Sequence, residues 1–214
     1  LQELPSPDSW CHLGRLESLY VGGSFCALTH CGFTSVLLSR DLLKKVKVYE
    51  VDIVGPTVIV SICDRNPEAS NKISIIGAHL SPFKNGSSHR LHEITEAIRV
   101  AKCHGSSSIV FGGDLNMRND EMKNIQKIGL RDAFLALGSP KESSVTWDSS
   151  RNKYHKDGFP FRCRFDRFLF LGDIKPVSID TGADTPIGGN SDHYLSDHFS
   201  VRSEWVGGRE GGRE

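Results

Sequence analysis

Residues 107–116, Ser107-Ser108-Ile109-Val110-Phe111-Gly112-Gly113-Asp114-Leu115-Asn116, constrain the fold more than any other stretch. A short run of β-forming apolar residues reads as a buried strand. Two glycines then permit a sharp turn and let a ligand approach the backbone closely. Beyond them a carboxylate and a carboxamide stand two positions apart, the spacing that puts two side chains on one side of an extended segment. Asp114 and Asn116 are therefore expected to aim together into the space past the strand end. The same residue types are also ordinary turn formers. A buried strand in mid-chain needs partners, so the rest of the sequence has to supply a sheet.

The stretches 33–39, 45–54, 57–62 and 72–80 all read as strands, with Gly55-Pro56 as the turn between the second and third. A helix is expected over 88–104, where Leu91, Ile94, Ile98 and Ala101 recur at helical spacing. Ser87 or Ser88 would cap its start, and Lys102 and His104 suit its last turn before Gly105. Shorter helices are expected at 119–128 and 132–137, and further strands at 164–171, 174–179 and 198–205. At the beginning, 1–4 reads as the end of a strand and 8–19 as a short helix. Many strands, few helices and hairpin-like spacing indicate an α+β or sheet-sandwich domain.

At 214 residues the chain suits one sizeable domain. Lys plus Arg and Asp plus Glu each number 26, so the net charge is zero. A protein that grips nucleic acid by bulk charge would be basic, so contact with a polyanion must be a local patch. The six cysteines include no C-x-x-C pair and read as reduced thiols. No apolar run has transmembrane length, and no signal peptide is visible. The chain opens on Leu1-Gln2-Glu3-Leu4 without an initiator Met, as though cut inside a strand. The tail at 207–214, a short Gly/Arg/Glu repeat, is expected to be disordered.

Chemistry-bearing side chains fall at expected strand ends: Glu3, His79, Asp114 with Asn116, and Asp197-His198. Asp166 lies inside an apolar strand, where a carboxylate needs a partner. In this order, Q-E, H, G-D-x-N, R-x-D and S-D-H, the chain resembles the endonuclease/exonuclease/phosphatase superfamily of DNase I-like phosphoesterases. Gly113-Asp114-Leu115-Asn116-Met117-Arg118, Thr146-Trp147-Asp148 and Arg164-Phe165-Asp166-Arg167 look like its tyrosyl-DNA phosphodiesterase type, which removes tyrosine from 5′ DNA ends.

The resemblance implies a four-layer αββα sandwich over residues 1–206, lacking its first strand and the metal-site Asn carried on it. It implies a Mg²⁺-dependent phosphodiesterase, with Mn²⁺ as a substitute, acting in DNA repair on 5′ DNA ends that carry a linked tyrosine. Glu3 would bind the metal, with Asp197 near it. Asp114 would deprotonate the attacking water and Asn116 would hold that water or a phosphate oxygen. His198, paired with Asp166, and His79 would contact the phosphate. Trp147 would stack on a base or a tyrosine, and Arg118 and Ser81 would contact the substrate. An intracellular monomer is implied, nuclear and also cytoplasmic, with no membrane partner.

A second S-D-H at 191–193 is set aside, because Phe199, Val201 and Trp205 continue the later one as a strand. Three departures bear on the substrate. The family's His-Leu-Glu-Ser is here His79-Leu80-Ser81-Pro82, the Tyr before Phe-Thr is Gly32, and no Arg follows near Thr57. They motivate two alternatives: a related enzyme of RNA, phosphoinositides or other phosphodiesters, and a truncated, non-catalytic binding module.

Overall fold

The protein is described from a computed structural model covering residues 25–29, 32–66, 71–152, 160–187 and 194–207. The strand and helix expected at 1–4 and 8–19, Glu3, the second S-D-H and residues 208–214 of the tail lie outside the described residues. Two compact units divide the chain, Leu1–Leu115 and Asn116–Glu214.

In the first unit, β1 (Phe25–Thr29) and β2 (Gly32–Val36) form an antiparallel pair. Ser39, expected as strand, instead caps the short helix α1 (Arg40–Lys45) by accepting from Leu42 N at 3.2 Å. There follow β3 (Val46–Val54), β4 (Thr57–Asp64), β5 (Lys72–His79), helix α2 (Ser87–Cys103) and β6 (Ser108–Asp114). The strands lie in the order β3-β4-β5-β6; the first two junctions are antiparallel and β5–β6 is parallel. A parallel junction needs a long crossover, and α2 provides it.

Residues 57–62 of β4 are buried throughout, and the two faces serve different neighbours. Val58, Val60 and Ile62 join Val36 and Leu38 in an apolar cluster, each such side chain contributing about 1.5–3 kcal/mol on burial. On the other face Ser61 Oγ meets Ser74 Oγ at 2.7 Å and His104 Nδ1 at 2.8 Å. His104 caps the end of α2, and its Nε2 lies 2.7 Å from Asp52. Although Asp, His and Ser follow one another here, Ser61 is fully buried, so the chain of bonds ties α2 to the sheet and presents no nucleophile.

The helix departs from expectation at its start. Gly86 occupies the cap with no capping side chain, and Ser87 is already helical. Its buried face is Arg90, Glu93, Ile94, Ala97, Ile98 and Ala101, while Leu91 is half-buried. The first two turns of that face are thus charged.

In the second unit a 3-10 turn, Asn119–Glu121, leads into α3 (Met122–Lys127). Then come β7 (Arg131–Asp132), α4 (Ala133–Ala136), β8 (Trp147–Asp148) paired with β9 (Arg162–Cys163), and β10 (Asp166–Leu171), which pairs with β7. Finally β11 (Ile174–Gly182) and β12 (Ser200–Gly207) pair antiparallel. A register shift between Pro176 and Ser178 accommodates a residue that cannot donate to the ladder. Trp205 sets its ring edge-on to Phe168 and Phe170, packing β12 on β10. Among the described residues no helix is long and apolar enough to cross a membrane.

Candidate active site

The first unit contributes the ends of two neighbouring strands. In the parallel register His79 lies opposite Asp114, and His79 Nε2 is 3.4 Å from Asp114 Oδ2, both side chains being buried. Pairing continues one residue further, Leu80 N donating to Asp114 O at 3.0 Å. Gly77, two residues before His79, allows β2 to press on this strand, since a Cβ there would meet Val36 Cγ2 at 2.8 Å. The strand expected to end at Phe111, before the two glycines, runs on to Asp114, with Gly113 at φ 137°, a conformation L residues rarely adopt.

Ser81, expected to contact the substrate, is engaged by the α2 helix. It is buried, and its hydroxyl donates to Glu93 Oε1 at 2.8 Å while its N–H donates to Glu93 Oε2 at 3.2 Å. Its one hydroxyl proton is used inside the fold.

At Asn116 the backbone departs from the expected strand geometry. Its φ is 50°, so the chain leaves extended geometry at that residue and the shared direction expected of Asp114 and Asn116 does not follow from strand alternation. The loop after it is tied down from two sides. Arg118 donates Nη1–H to Asn116 O at 3.3 Å and backbone N–H to Glu121 at 3.0 Å, with its guanidinium 5.7 Å from the Phe165 ring. Arg167 Nη2 donates to Asn119 Oδ1 at 2.8 Å and to Met117 O at 3.3 Å. Burial, then the Arg164 charge beside it, push Arg167 below the usual arginine range, with Asp132 opposing.

Asp166 and His198 come together within the second unit: His198 Nδ1 is 2.7 Å from Asp166 Oδ2. With Nδ1–H directed at the carboxylate, Nε2 is the atom through which the ring can act on a substrate. Trp147, half-buried, stands edge-on to the imidazole with centroids 4.9 Å apart, and Phe165 lies 6.3 Å away. Asp197 is half-buried and accepts from Ser196 Oγ at 3.2 Å, an oxygen that also accepts the His198 N–H at 3.1 Å.

Two residues that sequence reasoning did not assign hold this pair. Thr146 Oγ1 accepts the N–H groups of Phe165 and Asp166 at 3.0 and 3.1 Å, and Thr146 O accepts from Phe199 N at 2.8 Å. One buried residue thus fixes the backbone at Asp166 and beside His198. Asn152 Nδ2 donates to Ser196 O at 2.7 Å. It is placed by Asp148, whose carbonyl accepts Asn152 N at 2.8 Å and whose Oδ1 accepts from Ser150 and Arg151. Burial acts to raise the Asp148 pKa. The Ser150 hydrogen bonds, the Arg162 charge and the Arg151 N–H outweigh it and hold the carboxyl below its ordinary value. The T-W-D motif was the signal for Thr146; nothing local marks Asn152.

No family model matches the chain. Several curated proteins are similar to it, two of which follow. Tyrosyl-DNA phosphodiesterase 2 of Xenopus laevis is 27% identical over 147 residues, 67% of this chain and 40% of that protein. The 5′-tyrosyl-DNA phosphodiesterase of Caenorhabditis elegans is 30% identical over 111 residues, 50% of this chain and 30% of that protein. The chain therefore spans less than half the length of these relatives. Among solved structures, D. rerio TDP2 complexed with single strand DNA product superposes with a TM-score of 0.77 at 21% identity, covering 94% of this chain and 82% of that one. An endonuclease/exonuclease/phosphatase from Bacteroides vulgatus gives a TM-score of 0.65 at 14% identity, covering 94% and 82%. The α+β fold expected from the sequence is the fold of these DNase I-like structures. In sequence the chain is thus similar to tyrosyl-DNA phosphodiesterases, and in fold to these and to endonuclease/exonuclease/phosphatase structures.

Proposed function

We propose that this chain is the catalytic domain, over residues 1–206, of a metal-dependent phosphodiesterase that hydrolyses the bond between a tyrosine and a 5′ DNA end. In that reaction a water oxygen bonds to phosphorus and the P–O bond to the tyrosine phenol breaks. A 5′-phosphate remains on the DNA, and the phenol leaves with a proton. Asp114 would accept the proton of the attacking water, and Asn116 would hold that water or a phosphate oxygen through its amide. His198, its Nδ1–H engaged by Asp166, would donate from Nε2 to a phosphoryl oxygen as charge builds there. His79, beside Asp114, would make a second phosphate contact. Arg118 and Trp147 would border the substrate.

The donor types fit a hard divalent cation, since Glu3 and Asp197 offer carboxylate oxygens and Mg²⁺ takes one or two of them. Glu3 and Asp197 would hold it. When bound, Mg²⁺, or Mn²⁺ in its place, would neutralise charge on the phosphoryl oxygens. A DNA-end substrate would bring the protein to the nucleus.

The observation that carries this reading is the Asp166–His198 pair faced by Trp147, in a chain whose named relatives are tyrosyl-DNA phosphodiesterases. The test is release of tyrosine from a 5′-tyrosyl oligonucleotide with Mg²⁺ or Mn²⁺. Asp166→Asn and His198→Ala are each expected to lower kcat by about 10²–10⁴. A folded chain that releases no tyrosine with either metal refutes the reading. Gly32, where the family carries Tyr, favours a second one, a related phosphoesterase of RNA or phosphoinositides. Faster hydrolysis of either substrate would displace the first.

A further inference from the structure

Phe83 is exposed and strained at once. Its ring is on a residue 73% exposed, and its backbone sits at φ 68°, ψ 159°, a region essentially reserved for glycine. An exposed phenylalanine gains little from burial, so nothing in the core rewards this conformation. It persists because the segment around it is over-determined. Arg90, fully buried, directs Nη1 to three successive carbonyls: Ser81 O at 2.7 Å, Phe83 O at 2.8 Å and, more loosely, Pro82 O at 3.5 Å. Glu93 fixes Ser81 from the other side through both its N–H and its hydroxyl. Gly86 closes the loop on the guanidinium so tightly that a Cβ there would come 2.9 Å from Arg90 Nη1.

The same loop leaves the strand end that bears His79. Leu80 is still paired with Asp114, and Phe83 follows three residues later, within about 11 Å of Leu80 along even a fully extended chain. A rigid aromatic ring is therefore presented to solvent close to the His79–Asp114 pair, by two buried charged side chains on the first two turns of α2. Strained backbone held rigid by its surroundings collects at ligand clamps. We propose that Phe83 is a stacking platform for an unpaired nucleobase of single-stranded DNA near the scissile phosphate. The proposal rests on the phosphodiesterase reading for its choice of ligand. A ring held in place loses little freedom on binding, and every base offers it a flat face.

The test reads binding without turnover. The full chain, with divalent metal chelated, is titrated with a 5′-phosphorylated single-stranded oligonucleotide carrying 2-aminopurine at each of its first three positions in turn. One position is expected to be quenched by the wild type and not by Phe83→Ala. Phe83→Ala should also bind the unmodified oligonucleotide roughly 5- to 100-fold more weakly, the range for loss of one aromatic–base stack. An abasic site at the quenched position should weaken wild-type binding to the same level and leave the variant unaffected, which assigns the stack to a base and not to a tyrosine ring. Phe83→Trp should keep the affinity. Phe83→Gly should lose it without lowering Tm, because glycine relieves the strained φ, ψ; a merely structural role would not separate the two readouts. Equal affinity of wild type and Phe83→Ala, indifference to the abasic site, or no binding by the wild type overturns the proposal. Tyrosine release with no dependence of binding on Phe83 would remove the platform and leave the proposed activity standing. The opposite pattern would do the reverse.

Discussion

Replacing Asp132 by Asn removes the carboxylate that, among the described residues, pairs with two buried guanidinium groups of the second unit. The Asp132 side chain has no exposure; it receives Arg164 through both terminal nitrogens at 3.2 and 2.7 Å and Arg167 Nη1 at 2.9 Å. It also caps α4 by accepting the Phe134 N–H at 2.9 Å, which an Asn carbonyl can continue to do. Asp132→Asn therefore spares shape and cap while it removes the charge and turns an Nδ2–H donor toward Arg164 Nη2 and Arg167 Nη1. Stripping one partner from a buried pair costs about 3–5 kcal/mol, because the remaining charge is left uncompensated. Two positive groups remain here, so the cost should lie at or above the lower end of that range. For a chain of this size roughly 3 kcal/mol lowers Tm by about 6–12 °C. Arg164→Met should cost less than Asp132→Asn, since it leaves Asp132 paired with Arg167. Urea unfolding monitored by circular dichroism measures all of these. A loss under about 1 kcal/mol for Asp132→Asn would mean that water reaches the guanidinium groups, and the low-dielectric reasoning would fail.

Thr146→Val, nearly isosteric, leaves the N–H groups of Phe165 and Asp166 without their acceptor and should cost about 1–3 kcal/mol in urea unfolding, with Thr146→Ser close to wild type. Gly77→Ala drives a methyl into Val36 and should cost about 1–3 kcal/mol, relieved when combined with Val36→Ala. The Asp148 carboxyl titrates below its ordinary value in the folded state, so its contribution is present above about pH 4, the unfolded value, and is lost as pH falls through the lower folded value. Ser150→Ala should therefore lower stability at pH 7 and lose that deficit as pH falls through the lowered folded-state value, which urea titrations across pH will show.

The parts of this fold visible in the sequence are those written in apolar residues. β4 and β5 lie within two residues of expectation because continuous runs such as Val58-Ile59-Val60 have no other use. Helix α1 escaped notice because Arg40–Lys45 buries nothing, and Ser39 reads as strand until its hydroxyl is seen to cap. Arg90 and Glu93 lie on the same arc of α2 as Ile94, Ala97 and Ile98, but a period counted in hydrophobic residues passes over them. That Asp166 needs a partner was legible, since a carboxylate in an aromatic strand demands one, but His198 as that partner came from the family resemblance. The turn at Asn116 was not, because alternation along a strand says nothing about the residue where the strand stops.

A common physical reason underlies what the sequence conceals. Loops that carry functional groups expose carbonyls and N–H groups outside any ladder, and those groups must find partners once buried. An apolar core cannot supply them. Arg90 and Glu93 do so for residues 81–83, Arg167 for 117–119, and Thr146 and Asn152 for the backbone around 165–166 and 196. Each is a polar side chain almost wholly buried, and each bonds to a segment that carries or adjoins a candidate catalytic residue. Loss of any one would leave every candidate catalytic side chain in place and still let its loop drift. Activity should therefore fall at Arg90, Thr146 or Arg167 even in variants that keep the fold, and kcat should suffer more than KM, because misplacement of reacting groups by about 1 Å can cost 10²-fold in rate.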